Sequence, residues 1–152
     1  MNAEVLFDDR LYVVAGDNNP WTRRRKVTLK DLVDKPWVVP PPDYYAGALI
    51  VEAFRASGLA TPHFAVTGYG VQLQTALIAT GRFLSVLPGS FLRFSGKRLG
   101  LKALPIEWPV PPRPVGVVTL KNRTVSPLAQ LFIDCARNLS KPLAAMSMAR
   151  KR

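Results

Sequence analysis

The stretch FAVTGYGVQLQTALIATGRFLSVLP, residues 64–88, decides how the rest of the chain is read. Phe64 to Thr67 is short and mostly apolar, and it runs into Gly68-Tyr69-Gly70, a turn cluster. Beyond Val71, the apolar Leu73, Leu77 and Ile78 fall at helical spacing, which predicts a helix over 71–80 with that face turned inward. Gly81 ends it. Residues 83–87 then read as a buried strand, stopped by Pro88-Gly89. Strand, helix and strand in succession make a βαβ unit, so the fold class is α/β with a largely parallel sheet.

The same alternation continues in both directions. Upstream, residues 11–15 (LYVVA) form an apolar run closed by the turn cluster Gly16-Asp17-Asn18-Asn19-Pro20, a second buried strand. Thr28 and Asp31 have the spacing of a capping box and open a short helix that Pro36 stops. Trp37-Val38-Val39 is a strand, and the three prolines 40–42 close it. Asp43 is placed to cap a helix over 45–57, whose apolar stripe is Leu49, Ile50, Ala53 and Phe54, with Gly58 as its left-handed stop. Downstream, 101–106 and 115–120 read as strands. Ser126-Pro127 starts a last helix with Leu128, Leu131, Phe132, Cys135 and Leu139 along one face. The chain past Pro142 reads as a loose basic tail.

Composition removes several function classes. No apolar run approaches the roughly 18 residues that a bilayer span needs, so no membrane partner is expected. The lone Cys135 excludes an internal disulfide, no Cys/His cluster offers a metal site, and no cofactor motif is present. A reducing, cytoplasmic setting fits these features. His63 is the only histidine, and Cys135 on an apolar stripe reads as a small core residue. No catalytic residue is assigned. The formal charge of +11 comes from short clusters, Arg23 to Lys26 among them, each in a predicted loop or at a chain end. These read as solvated surface, whose field favours an anionic ligand.

Two segments suit binding. Thr67-Gly68-Tyr69-Gly70 joins a strand's carboxyl end to a helix start, where free backbone N–H groups and the helix dipole favour a carboxylate or phosphate. The same four residues also read as a tight turn that needs glycine. Asp43-Tyr44, after the 37–39 strand, stands at the equivalent place and also reads as a plain helix start.

The ordered set of segments resembles the effector-binding region of LysR-type transcriptional regulators. The residues that carry the likeness are LFDDRLYVVAG at 6–16, Asn19-Pro20, VTLKDL at 27–32, PWVVP at 36–40 and FRASGL at 54–59. ATGRFLSVLP at 79–88, RPVGVVTL at 113–120 and Ser126-Pro127 with its helix complete the set. The resemblance implies a type 2 periplasmic-binding-protein-like fold, here one complete lobe plus the closing strand and helix of the other. On that frame, residues 1–16 end the first lobe and cross over on the 11–15 strand, and 17–112 form the second lobe. Residues 113–140 return as the 115–120 crossover and closing helix, and 141–152 form the tail. It also implies a small, anionic effector held in the interlobe cleft, with Asp43, Tyr44, Thr67, Gly68, Tyr69 and Gly70 on the second-lobe side. Homo-oligomers are expected, and DNA contact only through an N-terminal winged helix-turn-helix that this chain lacks.

The absent opening half of the first lobe implies a fragment or a truncated reading frame, with association or poor solubility when the chain is expressed alone. Sequence-specific DNA binding is not expected of it. Two other readings compete. A solute-binding protein of the same fold would serve transport, and an in-frame segment upstream would discriminate. An enzyme using Cys135 as nucleophile would show fast alkylation of that thiol.

Overall fold

A computed structural model describes residues 1–149 of the chain. It divides into two compact units, Leu11–Pro111 and a smaller one made of Met1–Arg10 with the segment from Pro112 onward.

In the larger unit the strands are β2 (Leu11–Gly16), β3 (Trp37–Val39), β4 (Phe64–Thr67), β5 (Ser85–Pro88) and β6 (Leu101–Ala103). The helices are α1 (Leu29–Leu32), α2 (Tyr45–Ala56), α3 (Val71–Ala79) and the single turn α4 (Gly89–Phe91), which continues into a wider π turn. β3 and β4 pair in parallel, with Val39 opposite Thr67. A parallel bridge from Trp37 to Leu84 ties β3 to the start of β5. β5 and β6 flank β2, both antiparallel to it. The sheet is therefore mixed. Parallel order holds for the βαβ elements, while β2 enters from outside that repeat and runs against its neighbours.

The buried runs were where the sequence placed them. Val13, Val14 and Ala15 of β2 and all of β3 are fully covered, as expected of strands packed on both faces. Leu49, Ile50, Ala53 and Phe54 form the inner stripe of α2. Phe54 meets Trp37 edge-on, ring centroids 5.5 Å apart, and the Trp37 indole N–H donates to Leu32 O at 2.9 Å. Each such side chain contributes roughly 1.5–3 kcal/mol by leaving water. α2 stops where Gly58 adopts φ 70°. Its N–H donates to Arg55 O, and that of Leu59 to Phe54 O, the paired bonds of a Schellman end. At α1, the Asp31 carboxylate accepts from both the backbone N–H and the hydroxyl of Thr28.

The smaller unit holds β1 (Asn2–Asp9), β7 (Arg113–Thr119) and α5 (Pro127–Ala149). β1 and β7 pair antiparallel from Asn2–Thr119 to Asp9–Arg113. This corrects the strand assignment. The partner of the 113–119 strand is Asn2–Asp9, whereas Leu11–Gly16 belongs to the sheet of the larger unit. The unit boundary accordingly falls at Leu11 and not at residue 17. An all-apolar LYVVAG suits a strand covered on both faces, while NAEVLFDD, which carries acidic residues, tolerates a half-exposed ribbon.

α5 brings two further corrections. Cys135, read from the sequence as a small core residue, is exposed; the apolar face it shares with Leu128, Leu131, Phe132 and Leu139 points outward, the exposure that lies behind the expected association. Ile133 and Ser140 are the buried positions instead, and Arg137 on the same turn forms an ion pair with Glu4 of β1 at 2.7 Å. Two strands cover only one side of a helix, so its more apolar side has nothing in the described chain to pack on. The helix also continues past Pro142, through segment 141–149 that the sequence had assigned to the tail. Proline there removes one backbone bond, and the Leu-Ala-Ala-Met run after it favours helix. Residues 150–152 of the expected tail lie outside the described residues.

Candidate functional site

Parallel pairing puts the carboxyl ends of β3 and β4 side by side. The two loops that leave them therefore share one edge of the sheet, and each leads directly into a helix, α2 or α3. The loops touch. Tyr44 and Tyr69 pack edge-on with ring centroids 5.6 Å apart, both largely exposed. The Gly68 N–H donates to Val39 O at 3.1 Å, which fastens the second loop to the first strand.

All six residues picked out in sequence lie at this edge. Asp43, Tyr44, Thr67, Tyr69 and Gly70 are exposed and Gly68 is half-buried. Asp43 is not the helix cap. The cap position of α2 is held by Tyr44, with no side-chain hydrogen bond; a turn closed by Tyr44 N–H to Pro41 O at 2.9 Å takes up Asp43, and the helix begins at Tyr45 as expected. Gly70 caps α3, again with no side-chain bond to the first turn. Two helix amino ends thus open on one edge without a capping side chain, a local concentration of N–H groups and positive dipole.

The glycines of the second loop are not demanded by the backbone. Gly68 and Gly70 both have negative φ, and a Cβ on either would meet only Leu73 carbons, at 3.6 and 3.9 Å. Absent side chains there leave the backbone of the loop uncovered, with the Gly68 N–H already given to Val39 O. The opposite holds for Gly47 in the first turn of α2, a residue the sequence reading passed over. A Cβ there would stand 2.1 Å from Pro41 O and 2.6 Å from Pro40 O, so only glycine lets the helix sit against the proline loop. The signal was visible in principle, as a glycine one turn after a triple proline.

Beneath the edge, the inner face of α3 departs from the expected one. Leu73 is half-exposed at 51%, Ile78 is buried as predicted, and Gln74 and Thr75 are buried beside it. Gln74 Nε2 donates to the Ser85 hydroxyl, which donates to Val38 O at 2.6 Å. This chain of bonds ties α3 to β5 and β3. A single sequence cannot show it, because Gln74 finds its partner on a later strand. Among the described residues, no group of three or more His, Cys, Asp or Glu side chains gathers, and no helix is long and apolar enough to cross a membrane. A small recess in the smaller unit, lined by residues including Glu4, Ile133 and Arg137, lies away from the predicted residues.

The family model for the LysR substrate binding domain matches residues 1–141. This chain belongs to that family. Similar curated proteins include the transcriptional dual regulator GltC of Bacillus subtilis, 26% identical over 134 residues covering 88% of this chain and 44% of GltC. The HTH-type regulator YvbU of the same organism is 31% identical over 88% of this chain and 44% of its own length. The chain thus spans less than half the length of these curated relatives. Among solved structures, the CcmR regulatory domain of Synechocystis in complex with 2-PG matches at TM-score 0.71 and 22% identity. That match covers 92% of this chain and 67% of that one. The effector binding domain of QuiR in complex with shikimate matches at TM-score 0.66 and 23% identity, over 93% and 66%. The fold is the type 2 periplasmic-binding-protein-like fold of LysR regulatory domains.

Proposed function

We propose that this chain is the effector-sensing part of a LysR-type transcription factor and binds a small organic anion at the edge formed by Asp43, Tyr44 and residues 67–70. The observation that carries the reading is the meeting of these two loops, Tyr44 against Tyr69, where the amino ends of α2 and α3 open without capping side chains. A carboxylate or phosphate accepts from such N–H groups, while the tyrosine rings offer an apolar wall with polar tips. Two structural relatives were solved with 2-PG and with shikimate. Regulators, not transport proteins, are the curated relatives, which favours sensing over solute delivery.

Binding would shift the conformational balance of the sensing domain and so the geometry of attached DNA-binding domains, without catalysis. The working protein is an oligomer in the cytoplasm, and the exposed apolar positions Leu128, Leu131, Phe132 and Leu139 of α5 support association. A thermal-shift screen of small organic acids tests the reading. A specific effector at a hundredfold excess over its Kd stabilises the chain by about 2.7 kcal/mol, and Tyr69→Ala abolishes that gain. A panel in which sugars and amines stabilise the chain while every acid leaves it unmoved overturns the reading.

A further inference from the structure

The edge of the larger sheet opposite the candidate site carries a second surface. β2 runs antiparallel to β5, so its end at Gly16 lies at the amino ends of the parallel strands. The chain beyond stays there, since the Asn19 amide donates to Gly81 O at 2.8 Å, just ahead of β5. Arg23, Arg24, Arg25, Lys26, Lys30 and Lys35 follow within a short span, all exposed. Trp21 organises part of the group. The Arg24 guanidinium lies over its ring at 4.7 Å and the Lys35 ammonium at 5.8 Å. These contacts hold the side chains without reducing their charge.

None of the six cations has a carboxylate oxygen within 4.0 Å among the described residues. The nearby Asp31 is occupied by the Thr28 N–H and hydroxyl. Asp17 and Asp34 remain solvent-exposed in the same region. Arg24 and Lys30 act on the Asp31 carboxylate through space, and with Asp17 and Asp34 the six cations are offset only in part. The edge therefore keeps a net positive charge, with Arg24 and Lys35 gathered at the Trp21 ring.

We propose that this cluster, which from sequence alone reads as solvated surface, is a docking surface for the phosphate backbone of duplex DNA, bound without regard to sequence and in addition to the contact expected through a winged helix-turn-helix. Choosing DNA among polyanions rests on the reading of the chain as part of a transcription factor. Three consecutive guanidinium groups, Arg23 to Arg25, suit phosphate oxygens, which such groups recognise in pairs of hydrogen bonds. In the assembled regulator such a surface would bring the sensing domain against DNA already held elsewhere.

The test is titration of the 152-residue chain into a fluorescein-labelled 20-base-pair duplex of scrambled sequence, repeated across salt concentrations. Each phosphate neutralised contributes about −0.9 to the slope of log affinity against log salt. The variant Arg23→Gln/Arg24→Gln/Arg25→Gln/Lys26→Gln is expected to flatten that slope by more than about 1.5 and to weaken binding at least tenfold at low salt. A control variant with equal charge loss in the smaller unit, Arg113→Gln/Lys121→Gln/Arg123→Gln/Lys141→Gln, is expected to keep both close to the parent values. A smaller change in slope, or equal weakening by the two variants, overturns the proposal. So does poly-glutamate competing as well as DNA at equal charge. All the substituted positions are exposed, and far-UV circular dichroism verifies that both variants fold. The stabilisation by organic acids, which reports the opposite edge, is expected to survive in the cluster variant. Its loss in the parent chain would speak against the sensing function and leave the DNA result standing.

Discussion

Ser85 is fully buried and takes part in two hydrogen bonds, accepting from Gln74 Nε2 and donating to Val38 O. Replacing it with alanine removes little volume but orphans a buried amide N–H and deprives a strand carbonyl of its hydroxyl partner. A buried donor left unsatisfied costs about 1–3 kcal/mol, so Ser85→Ala is expected to destabilise the Leu11–Pro111 unit by about 2 kcal/mol. Gln74→Met removes the donor and leaves Ser85 bonded to Val38, so it costs less, about 1 kcal/mol. The double variant relieves the orphan that the serine change creates. Its cost falls short of the sum of the single costs by about 1 kcal/mol. Urea melts followed by tryptophan fluorescence measure all four corners of this cycle, and at roughly 4–8 °C per kcal/mol for a unit of this size thermal melts resolve it too. Additive costs, or a neutral Ser85→Ala, would refute the reasoning that the polar chain fastens α3 to the sheet.

Gly47→Ala places a methyl carbon 2.1 Å from Pro41 O. It is expected to cost about 1–3 kcal/mol and to weaken the effector-induced thermal shift by displacing residues 40–44; unchanged stability and response would contradict the packing argument. Acid is expected to loosen both units. Arg137 holds the Glu4 carboxyl below its ordinary value of 4.5, and bonds from Thr28 hold Asp31 below 3.8. Depressed carboxyl values contribute stability that is complete above those ordinary values and lost as pH falls through the lower folded ones. Melting temperatures should therefore decline below about pH 4.5, and less so in Glu4→Gln. Cys135, exposed beside Leu131 and Phe132, should react with a thiol reagent at the rate of a free cysteine in dilute solution and more slowly as the chain associates. Protection independent of concentration would count against association through that face.

What the sequence disclosed follows from how far each signal reaches along the chain. β3, α2 and its Gly58 end are set by residues within a turn or two of each other, and the six binding candidates follow from the rule that loops after parallel strands share an edge. The errors arose where a partner lies far away. β1 pairs with a strand more than a hundred residues later, and its mixed NAEVLFDD pattern announces no strand. Gln74 is inward because Ser85 awaits it, a fact that helical periodicity, which favoured Leu73, does not contain. On α5 the apolar face is legible and outward as expected, and only Cys135 was misplaced in the core, since burial depends on what else the chain supplies.

Backbone amide NMR on the isotopically labelled chain, titrated with the organic acid that gives the largest thermal shift, tests the placement of the effector most directly. The amides of Asp43, Tyr44, Thr67, Gly68, Tyr69 and Gly70, with the first turns of α2 and α3, are expected to shift together along one saturable curve. Saturable shifts confined to other parts of the chain, with these loops unmoved, would contradict the account.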